Sequence, residues 1–190
     1  MINVIGGNFK RLVLKTLTGF DTRPTSNRLK ETVFNLIRSE IVGSHFLDCF
    51  AGSGSIGIEA LSRGASQVAF IESEQSATEI IQKNLDKLPS DYRQKVLILK
   101  KPANVSIQML KRRKLKFDIV FVDPPYAAVK EYYKVLSLLY NCEVLSDSAH
   151  IIVEHSKGLI LPERLSGLSR LRLLKYGNSQ LSLYNVFKIP

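Results

Sequence analysis

Hydrophobic and polar residues alternate in blocks along most of this chain. From His45 onward, short apolar runs rich in valine, isoleucine and phenylalanine alternate with longer stretches whose apolar residues recur every three or four positions. The first pattern is typical of buried β-strands and the second of amphipathic helices. Strict alternation of the two indicates a parallel sheet covered by helices on both faces. The predicted strands lie near 45–49, 67–72, 95–99, 117–122 and 149–154, and the predicted helices near 55–63, 75–87, 103–113 and 129–141.

Both ends of the chain depart from this alternation. Residues 2–5 and 9–16 flank two glycines, which predicts a hairpin, and a helix is predicted from about Asn27 to Ile41. Near the other end, Gly177 and Asn178 separate two apolar segments, 168–176 and 181–189, and so predict an antiparallel hairpin. The length of 190 residues suits one domain with a substantial core. We therefore expect a single Rossmann-like α/β domain, with a basic hairpin and helix extension at 1–42 and a ligand-binding core at 43–190.

Composition narrows the class of protein. Hydrophobic residues make up 45% of the chain, but no apolar run is long enough to span a bilayer and the amino terminus lacks a secretory signal pattern. The two cysteines, Cys49 and Cys142, show neither a disulfide framework nor metal-ligand spacing. These observations predict a soluble cytoplasmic protein with no metal site and no membrane partner.

The charge of the chain points to a polyanionic partner. Lysine and arginine number 27 against 17 acidic residues, which gives a formal net charge of +10. For a compact domain, this balance is most often the footprint of nucleic acid binding. Lys30 and Arg38 fit a solvated helix face equally well, and a second cluster at 111–116 falls where a helix end favours cations anyway. We predict nucleic-acid contacts at Lys10, Arg11, Lys15, Arg23 and Arg28.

A glycine-rich loop follows the first predicted core strand. Residues 51–57 read Ala-Gly-Ser-Gly-Ser-Ile-Gly and join that strand to a helix, the context in which such glycines bind nucleotide-like ligands. Gly52 and Gly54 would let the backbone approach the ligand, and Gly57 would let the helix pack on the strand. Glu72 ends the next strand and could accept hydrogen bonds from ribose hydroxyls. This pattern fits either a nicotinamide dinucleotide or S-adenosylmethionine.

The tetrapeptide Asp123-Pro124-Pro125-Tyr126 favours S-adenosylmethionine. It follows a buried strand, at the edge of the sheet where open α/β folds bind ligands. The prolines remove two backbone donors and leave carbonyl acceptors, Asp123 adds a carboxylate, and Tyr126 adds a flat ring. Such a corner suits a planar group with an amino substituent, because accepting its N–H hydrogens makes the nitrogen a better nucleophile. Methyl transfer from S-adenosylmethionine to that amine would use the corner. Hydride transfer with a nicotinamide dinucleotide would have no use for it.

Several segments of the chain resemble the bacterial small-subunit ribosomal RNA guanine-N2 methyltransferases, the RsmD family. The similar segments are Arg23 to Thr25, Arg28 with 31–35, 47–54, 122–126, and 176–179 with 181–184. The resemblance implies a seven-stranded class I methyltransferase sheet, S-adenosylmethionine as donor and a guanine of 16S ribosomal RNA as acceptor, either free or in an assembling 30S particle. It also shows one departure: Pro102 stands where family members usually carry an aspartate or asparagine that contacts adenine.

On this basis we assign a role to each candidate site residue. The catalytic residues are predicted to be Asp123, Pro124, Pro125 and Tyr126. Donor contacts are predicted at Thr25, Asp48, Phe50, Ala51, Gly52, Ser53, Gly54, Gly57, Glu72, Ser73 and Ala103.

Two other kinds of function remain open on the sequence alone. One is a different amino-methyltransferase, acting on adenine N6 in DNA or RNA or on a protein glutamine. Sequence-specific DNA enzymes usually need an added recognition region, for which 190 residues leave little room. The other is a ribosome-assembly binding protein that has lost catalysis, against which the intact glycines, Glu72 and Asp123 argue.

Overall fold

The computed structural model describes residues 2–17 and 27–187. Within these residues the chain forms an α/β fold whose elements follow one another as the hydrophobic pattern predicts. In chain order they are β1 (Ile2–Asn3), β2 (Val13–Leu14), α1 (Asn27–Leu36), β3 (His45–Cys49), α2 (Ser55–Ser62), β4 (Gln67–Ile71), α3 (Gln75–Leu85), β5 (Val96–Leu99), α4 (Ala103–Arg112), β6 (Phe117–Val122), α5 (Val129–Asn141), β7 (Leu145–Ser156), β8 (Arg164–Leu165), β9 (Leu168–Tyr176) and β10 (Ser179–Val186), with 3-10 helices at Gly7–Phe9 and Ser90–Lys95.

The central sheet of the described residues has the strand order β5-β4-β3-β6-β7-β10-β9-β8. The strands from β5 to β7 are parallel, and β10, β9 and β8 continue the sheet in antiparallel fashion. This arrangement confirms the predicted mostly parallel sheet with an antiparallel carboxyl-terminal hairpin. The two-residue strand β8 adds an eighth, short edge strand to the seven predicted. The strand order reverses between β3 and β6, where open α/β sheets form a crevice at the carboxyl ends of the strands.

The parallel strands are buried on both faces, which explains their nearly continuous apolar sequences. Phe46, Phe70 and Phe121 belong to the core beneath α1, α2 and α3. Their neighbours in sequence point to the opposite face, into the core shared with α4 and α5; these include Leu47, Cys49, Ile71, Val120 and Val122. The two packed faces hold the carboxyl ends of β3, β4 and β6 in fixed positions.

The amino-terminal segment differs from its prediction in two ways. Its hairpin is reduced to two short strands, β1 and β2, separated by the 3-10 helix Gly7–Phe9. Helix α1 ends at Leu36 rather than Ile41, because a tight turn follows in which the Ile41 N–H still donates to the Ile37 carbonyl. Both isoleucines nevertheless remain in the core.

Lys30 is neither on a solvated face nor available to RNA. Its side chain is fully buried, and its ammonium group lies 3.2 Å from the Glu59 carboxylate of α2 and also donates to the Asn3 carbonyl. Glu59 accepts two further hydrogen bonds from the backbone N–H groups of Ile5 and Gly6, both at 2.8 Å. This buried network fixes the amino-terminal segment against α2, and its partners are too distant in sequence for a local pattern to reveal it.

Candidate active site

A cavity of about 890 Å³ opens at the carboxyl edge of the parallel strands. Its walls come from the loops that follow β3, β4, β5 and β6, together with side chains from β7, β9 and β10. This volume falls within the range of small-molecule and cofactor sites. The sequence-predicted residues that line it are Asp48, Phe50, Ala51, Gly52, Ser53, Glu72, Ser73, Ala103, Asp123, Pro124, Pro125 and Tyr126. The glycine loop and the Asp-Pro-Pro-Tyr corner therefore face the same space.

Two of the predicted donor contacts do not line this wall. Gly54 and Gly57 lie behind it, where they support the glycine loop. Arg23 and Thr25 fall outside the described residues, so their assignments to nucleic acid and donor stay predictions.

The glycine loop depends on backbone shapes and contacts that favour glycine. Gly52 and Gly54 have positive φ angles of 54° and 74°. Among the described residues, nothing lies within 4 Å of where a Cβ of Gly52 would stand, so a ligand can approach the backbone there. A Cβ on Gly57 would lie 2.3 Å from a ring carbon of Phe70. Glycine at that position therefore lets α2 pack directly on β4, the neighbour of the strand that precedes the loop.

Glu72 connects the glycine loop to the loop after β4. One carboxylate oxygen accepts the Gly52 N–H at 2.8 Å, and the other accepts the N–H groups of Ser73 and Glu74 at 2.8 and 2.9 Å. These three bonds hold the side chain at the cavity wall. A carboxylate oxygen can accept more than one hydrogen bond, so this placement is compatible with the predicted ribose contact, which stays a prediction.

Asp48 lies at the floor of the cavity, beneath the glycine loop. Its carboxylate accepts the Gly57 N–H at 2.8 Å, which ties the end of β3 to the first turn of α2. Burial raises the pKa of Asp48 to about 8, against the opposing effect of the Gly57 hydrogen bond, and the nearby charge of Glu72 adds to the rise. The site therefore contains a carboxyl group that holds a proton near neutral pH.

The Asp-Pro-Pro-Tyr corner is anchored by α5 and by the neighbouring strand. The Asp123 N–H donates to the Cys49 carbonyl of β3 at 3.3 Å. The buried Tyr132 hydroxyl of α5 donates to the Pro124 carbonyl at 3.2 Å. The Pro124 oxygen predicted to receive the acceptor amine thus already has one protein partner, and its second lone pair could receive a ligand hydrogen.

A second carboxylate, Glu154 of β7, lies beside Asp123 and Tyr126. The Tyr126 hydroxyl donates to Glu154 Oε1 at 3.1 Å and lies 2.6 Å from Ser179 Oγ. Glu154 is also hydrogen-bonded to Asp123. Burial first, and then the charges of Glu154 and Asp48, raise the pKa of Asp123 well above its usual value. Asp123 and Glu154 therefore form a close carboxyl pair at the acceptor side of the cavity.

Several residues of the cavity wall were not predicted from the sequence. Glu154 and Ser179 lie on strands far along the chain from the motif that they contact. The signal for Glu154 was an acid at the end of an otherwise apolar run, and the signal for Ser179 was its place in the family-like segment 176–179. Asn104 also lines the cavity, two positions after Pro102, and it offers the side-chain amide that Pro102 lacks. Tyr176 is another such residue, and the Arg28 guanidinium carbon lies 5.7 Å from the centre of its ring. Arg28 is therefore near the rim of the cavity.

The cavity is acidic although the protein is strongly basic. Among the described residues, its lining includes two lysines, Lys101 and Lys134, and six acids: Asp48, Glu72, Glu74, Asp123, Glu131 and Glu154. With a formal charge of +10 for the chain, the cations must lie mostly elsewhere. The interior thus favours a cationic ligand, whereas the outer surface favours an anionic one.

Three of the predicted nucleic-acid contacts share the exposed amino-terminal segment. Lys10, Arg11 and Lys15 are all exposed. The buried Asn84 side chain accepts the Lys15 N–H at 2.7 Å and donates to the Ser53 carbonyl of the glycine loop at 3.0 Å. This segment therefore passes beside the cavity.

The second cationic cluster, 111–116, lies at the opposite edge of the sheet. It joins the end of α4 to the start of β6, and the Lys116 carbonyl contacts the ring of His45, which begins β3. The carboxyl ends of β3 and β6, which form the cavity, lie at the other end of these strands. This cluster therefore faces away from the cavity.

The described residues also bear on the predicted absence of metal and membrane partners. No group of three or more histidine, cysteine or acidic side chains among them is arranged to hold a metal ion. None of their helices is both long and apolar enough to cross a membrane.

Comparison with known proteins places this geometry in a family. The family model described as Conserved hypothetical protein 95 matches residues 2–185. Ribosomal RNA small subunit methyltransferase D of Haemophilus influenzae is 37% identical over 166 residues, which are 85% of this chain and 83% of that protein. The solved structure of yhhF from Escherichia coli, described as a candidate methyltransferase, is 30% identical, with a TM-score of 0.83 and 98% of each chain covered.

A more distant solved structure shares the fold. SMU.776, described as a candidate methyltransferase in complex with S-adenosylhomocysteine, is 14% identical with a TM-score of 0.67, over 82% of this chain and 48% of that chain. At this identity the likeness extends to the fold alone. The match to the family model and the extent of the match to the Haemophilus protein are decisive, and the chain belongs to the family of the small-subunit ribosomal RNA methyltransferase D proteins.

Proposed function

We propose that this protein transfers the methyl group of S-adenosylmethionine to the exocyclic N2 of a guanine in small-subunit ribosomal RNA. The observation that carries this proposal is that the glycine loop and the Asp-Pro-Pro-Tyr corner line one cavity. A donor on the first and an amine on the second would meet without any large movement of the chain. The name of the Haemophilus relative supports ribosomal RNA as the substrate.

The described residues fit S-adenosylmethionine as the donor. Gly52 leaves room for close approach, Glu72 offers carboxylate oxygens for ribose hydroxyls, and Asn104 offers an amide for adenine. The excess of acids in the lining suits a ligand that carries a sulfonium and an ammonium group. When bound, this donor supplies an electrophilic methyl carbon. The complex of the structural neighbour SMU.776 with S-adenosylhomocysteine, the product of such a donor, is consistent with this choice.

The acceptor side of the cavity fits a planar amine. The Asp123 carboxyl group and the Pro124 carbonyl can each accept an N–H hydrogen, which would orient the amine and increase electron density on its nitrogen. Tyr126 is 38% exposed, so its ring can stack on a base, while its hydroxyl is held by Glu154 and Ser179. Much of the catalysis would therefore be orientation of two reactants.

The charge distribution fits a nucleic acid that inserts one base into the cavity and keeps its phosphate backbone outside the cavity. Phosphates would be repelled by the acidic lining and attracted by the exposed cations around it. In this proposal Arg28, near the rim, and Lys15, beside the glycine loop, would contact phosphates close to the entering base. The same arrangement would serve free RNA or RNA in an assembling 30S particle.

Methyl transfer from labelled S-adenosylmethionine tests this proposal. The purified protein is incubated with naked 16S ribosomal RNA, assembling 30S particles and DNA, and the modified nucleoside is then identified by mass spectrometry. We expect N2-methylguanosine in the ribosomal RNA and none in DNA. Methylated adenosine, methylation of DNA or protein alone, or donor binding without transfer to any substrate would contradict the proposal.

A further inference from the structure

We propose that Glu154 is a positioning residue of the methyl-transfer site, which orients Asp123 and Tyr126 toward the acceptor amine. The inference rests on the proposed function, because it assigns a role within the same reaction. It concerns a residue of β7 that lies outside the glycine loop and the Asp-Pro-Pro-Tyr corner.

The contacts of Glu154 join the two groups that would hold the acceptor. Its Oε1 accepts the Tyr126 hydroxyl at 3.1 Å, and its carboxyl group is hydrogen-bonded to Asp123. Ser179 of β10 lies 2.6 Å from the same Tyr126 hydroxyl and so fixes the ring from a second side. Through these bonds Glu154 sets the position of the ring predicted to stack on the base and the direction of the Asp123 carboxyl group.

The surroundings of Glu154 argue against a role in packing. The residues before it on β7, Ile151 to Val153, are fully buried and apolar, and its partner across the sheet is Leu181. A glutamate that is only 7% exposed at such a position is costly, and an apolar residue would fill the same space more stably. The carboxyl group nevertheless lines the cavity. We therefore attribute a glutamate at this position to a requirement of the active site and not to a requirement of the fold.

The charge of Glu154 also affects the protonation of Asp123. The titratable groups that act on Asp123 or its partners come from four elements: Asp48 of β3, Glu154 of β7, Tyr132 of α5 and Tyr126 of the corner itself. A negative charge nearby stabilises the protonated acid, so the Glu154 carboxylate raises the pKa of Asp123. Replacing Glu154 with glutamine removes that charge and should lower the pKa of Asp123, while an amide can still bond to Asp123 and Tyr126.

The test compares the wild type with Glu154→Gln and with Glu79→Gln, a control that removes an exposed acid from α3. We expect Glu154→Gln to lower kcat for ribosomal RNA by about tenfold or more, because small misplacements at a reacting centre are costly. Donor affinity and thermal stability should stay close to the wild type. In the donor-free protein, carbon-13 NMR of the side-chain carboxyl groups should show the Asp123 titration midpoint at lower pH. The control should match the wild type in all four measurements.

Several results would overturn the inference. One such result is a Glu154→Gln variant that has the wild-type kcat and the wild-type titration midpoint of Asp123. Another is a variant in which kcat, donor affinity and thermal stability all decrease to the same extent. If that variant fails to fold, Ser179→Ala decides in its place: a kcat at least about threefold lower at unchanged donor affinity supports the inference, and wild-type kcat overturns it. If the wild type methylates ribosomal RNA and Glu154→Gln does so equally well, only this inference is overturned. If the wild type methylates no RNA at all, the proposed function is overturned as well.

Discussion

At the scale of single residues, three carboxyl groups determine the character of the cavity. Asp48 and Asp123 both have raised pKa values, for which burial is the first cause, and Glu154 contributes to the rise at Asp123. A carboxyl group that stays protonated until a cationic ligand arrives avoids the cost of a buried, unpaired charge. Binding of a cationic donor would favour the ionised forms and so make Asp123 a stronger acceptor when the reaction needs it.

Substitution of Asp123 should separate its action on the acceptor from donor binding. We expect Asp123→Ala to lower kcat at least about 100-fold, because the amine loses a charged acceptor in the reacting geometry, with donor affinity largely unchanged. Asp123→Asn should keep partial activity, since one acceptor oxygen survives. Single-turnover methyl transfer and calorimetry of donor binding measure both effects. An asparagine variant as inactive as the alanine variant, with normal folding and donor affinity, would show that the carboxylate does more than accept a hydrogen bond.

Asp48 should make stability depend on pH. In the unfolded chain Asp48 ionises near pH 4, whereas in the folded protein its pKa is raised to about 8. Between these values the folded state binds the additional proton, so this residue should make the protein less stable as pH rises. Asp48→Asn, whose amide oxygen can still accept the Gly57 N–H, should lack this contribution. Urea unfolding at a series of pH values checks it: the two free-energy curves should diverge between pH 4 and 8, and parallel curves would contradict the assignment.

At the scale of elements, the cavity depends on how closely α2 packs against β4. Gly57 makes this contact possible, and the Asp48 bond to its N–H fixes the first turn of the helix. The loop that precedes α2 carries Gly52 and Ser53 into the cavity wall. A displacement of α2 would therefore also displace the residues that form the donor side of the cavity.

Gly57→Ala should test this dependence. Its methyl group would lie 2.3 Å from one Phe70 ring carbon and 2.6 Å from another, so α2 would have to shift. We expect a loss of about 1–3 kcal/mol in the free energy of unfolding, as for other overpacked sites, together with weaker donor binding. Gly158→Ala is the matched control, because among the described residues nothing lies within 4 Å of its added carbon. That control should change stability by no more than about 0.5 kcal/mol, and equal stability of both variants would contradict the packing argument.

The elements most predictable from the sequence are those whose pattern is local. Strands β3 and β6 match their predicted bounds, because a mainly apolar run ends at a turn in each case. Helix α1 is shorter than predicted, and the burial of Lys30 depends on Glu59, which lies 29 residues away. For the same reason the two motifs of the site were predictable, whereas Glu154 and Ser179 were not: they reach Tyr126 only once the sheet has formed.

At the scale of the whole molecule, a strongly basic chain contains an acidic cavity. Lys10, Arg11 and Lys15 are exposed on the segment beside the glycine loop, whereas cluster 111–116 lies at the opposite edge of the sheet. Under the proposed function, the first group would contact the backbone of an RNA whose base occupies the cavity, and the second group would not. Three cations taken from each group therefore provide a comparison of equal charge and different position.

Neutralising Lys10, Arg11 and Lys15 together, each to glutamine, should weaken RNA binding without changing donor affinity. Each phosphate that the variant no longer neutralises should reduce the slope of log affinity against log salt by roughly 0.7–0.9, because fewer counterions are released on binding. The matched control replaces Lys111, Arg112 and Lys116, which removes the same charge from the opposite edge. Binding to the target RNA over a salt series should show a reduced slope for the first variant alone. A wild-type slope in the first variant and a reduced slope in the control would place the RNA on the other face.

The most direct test of the proposed reaction removes the reacting amine from the RNA. Once nucleoside analysis has located the modified guanosine, a synthetic RNA is prepared with inosine at that position, which differs from guanosine only by lacking the exocyclic N2 amine. We predict that the wild-type protein binds this RNA with similar affinity and incorporates no methyl group from labelled donor, while the guanosine RNA is methylated. Methylation of the inosine at a rate comparable to guanosine would show that the corner formed by Asp123 and Pro124 acts on some other atom, and would contradict transfer to N2.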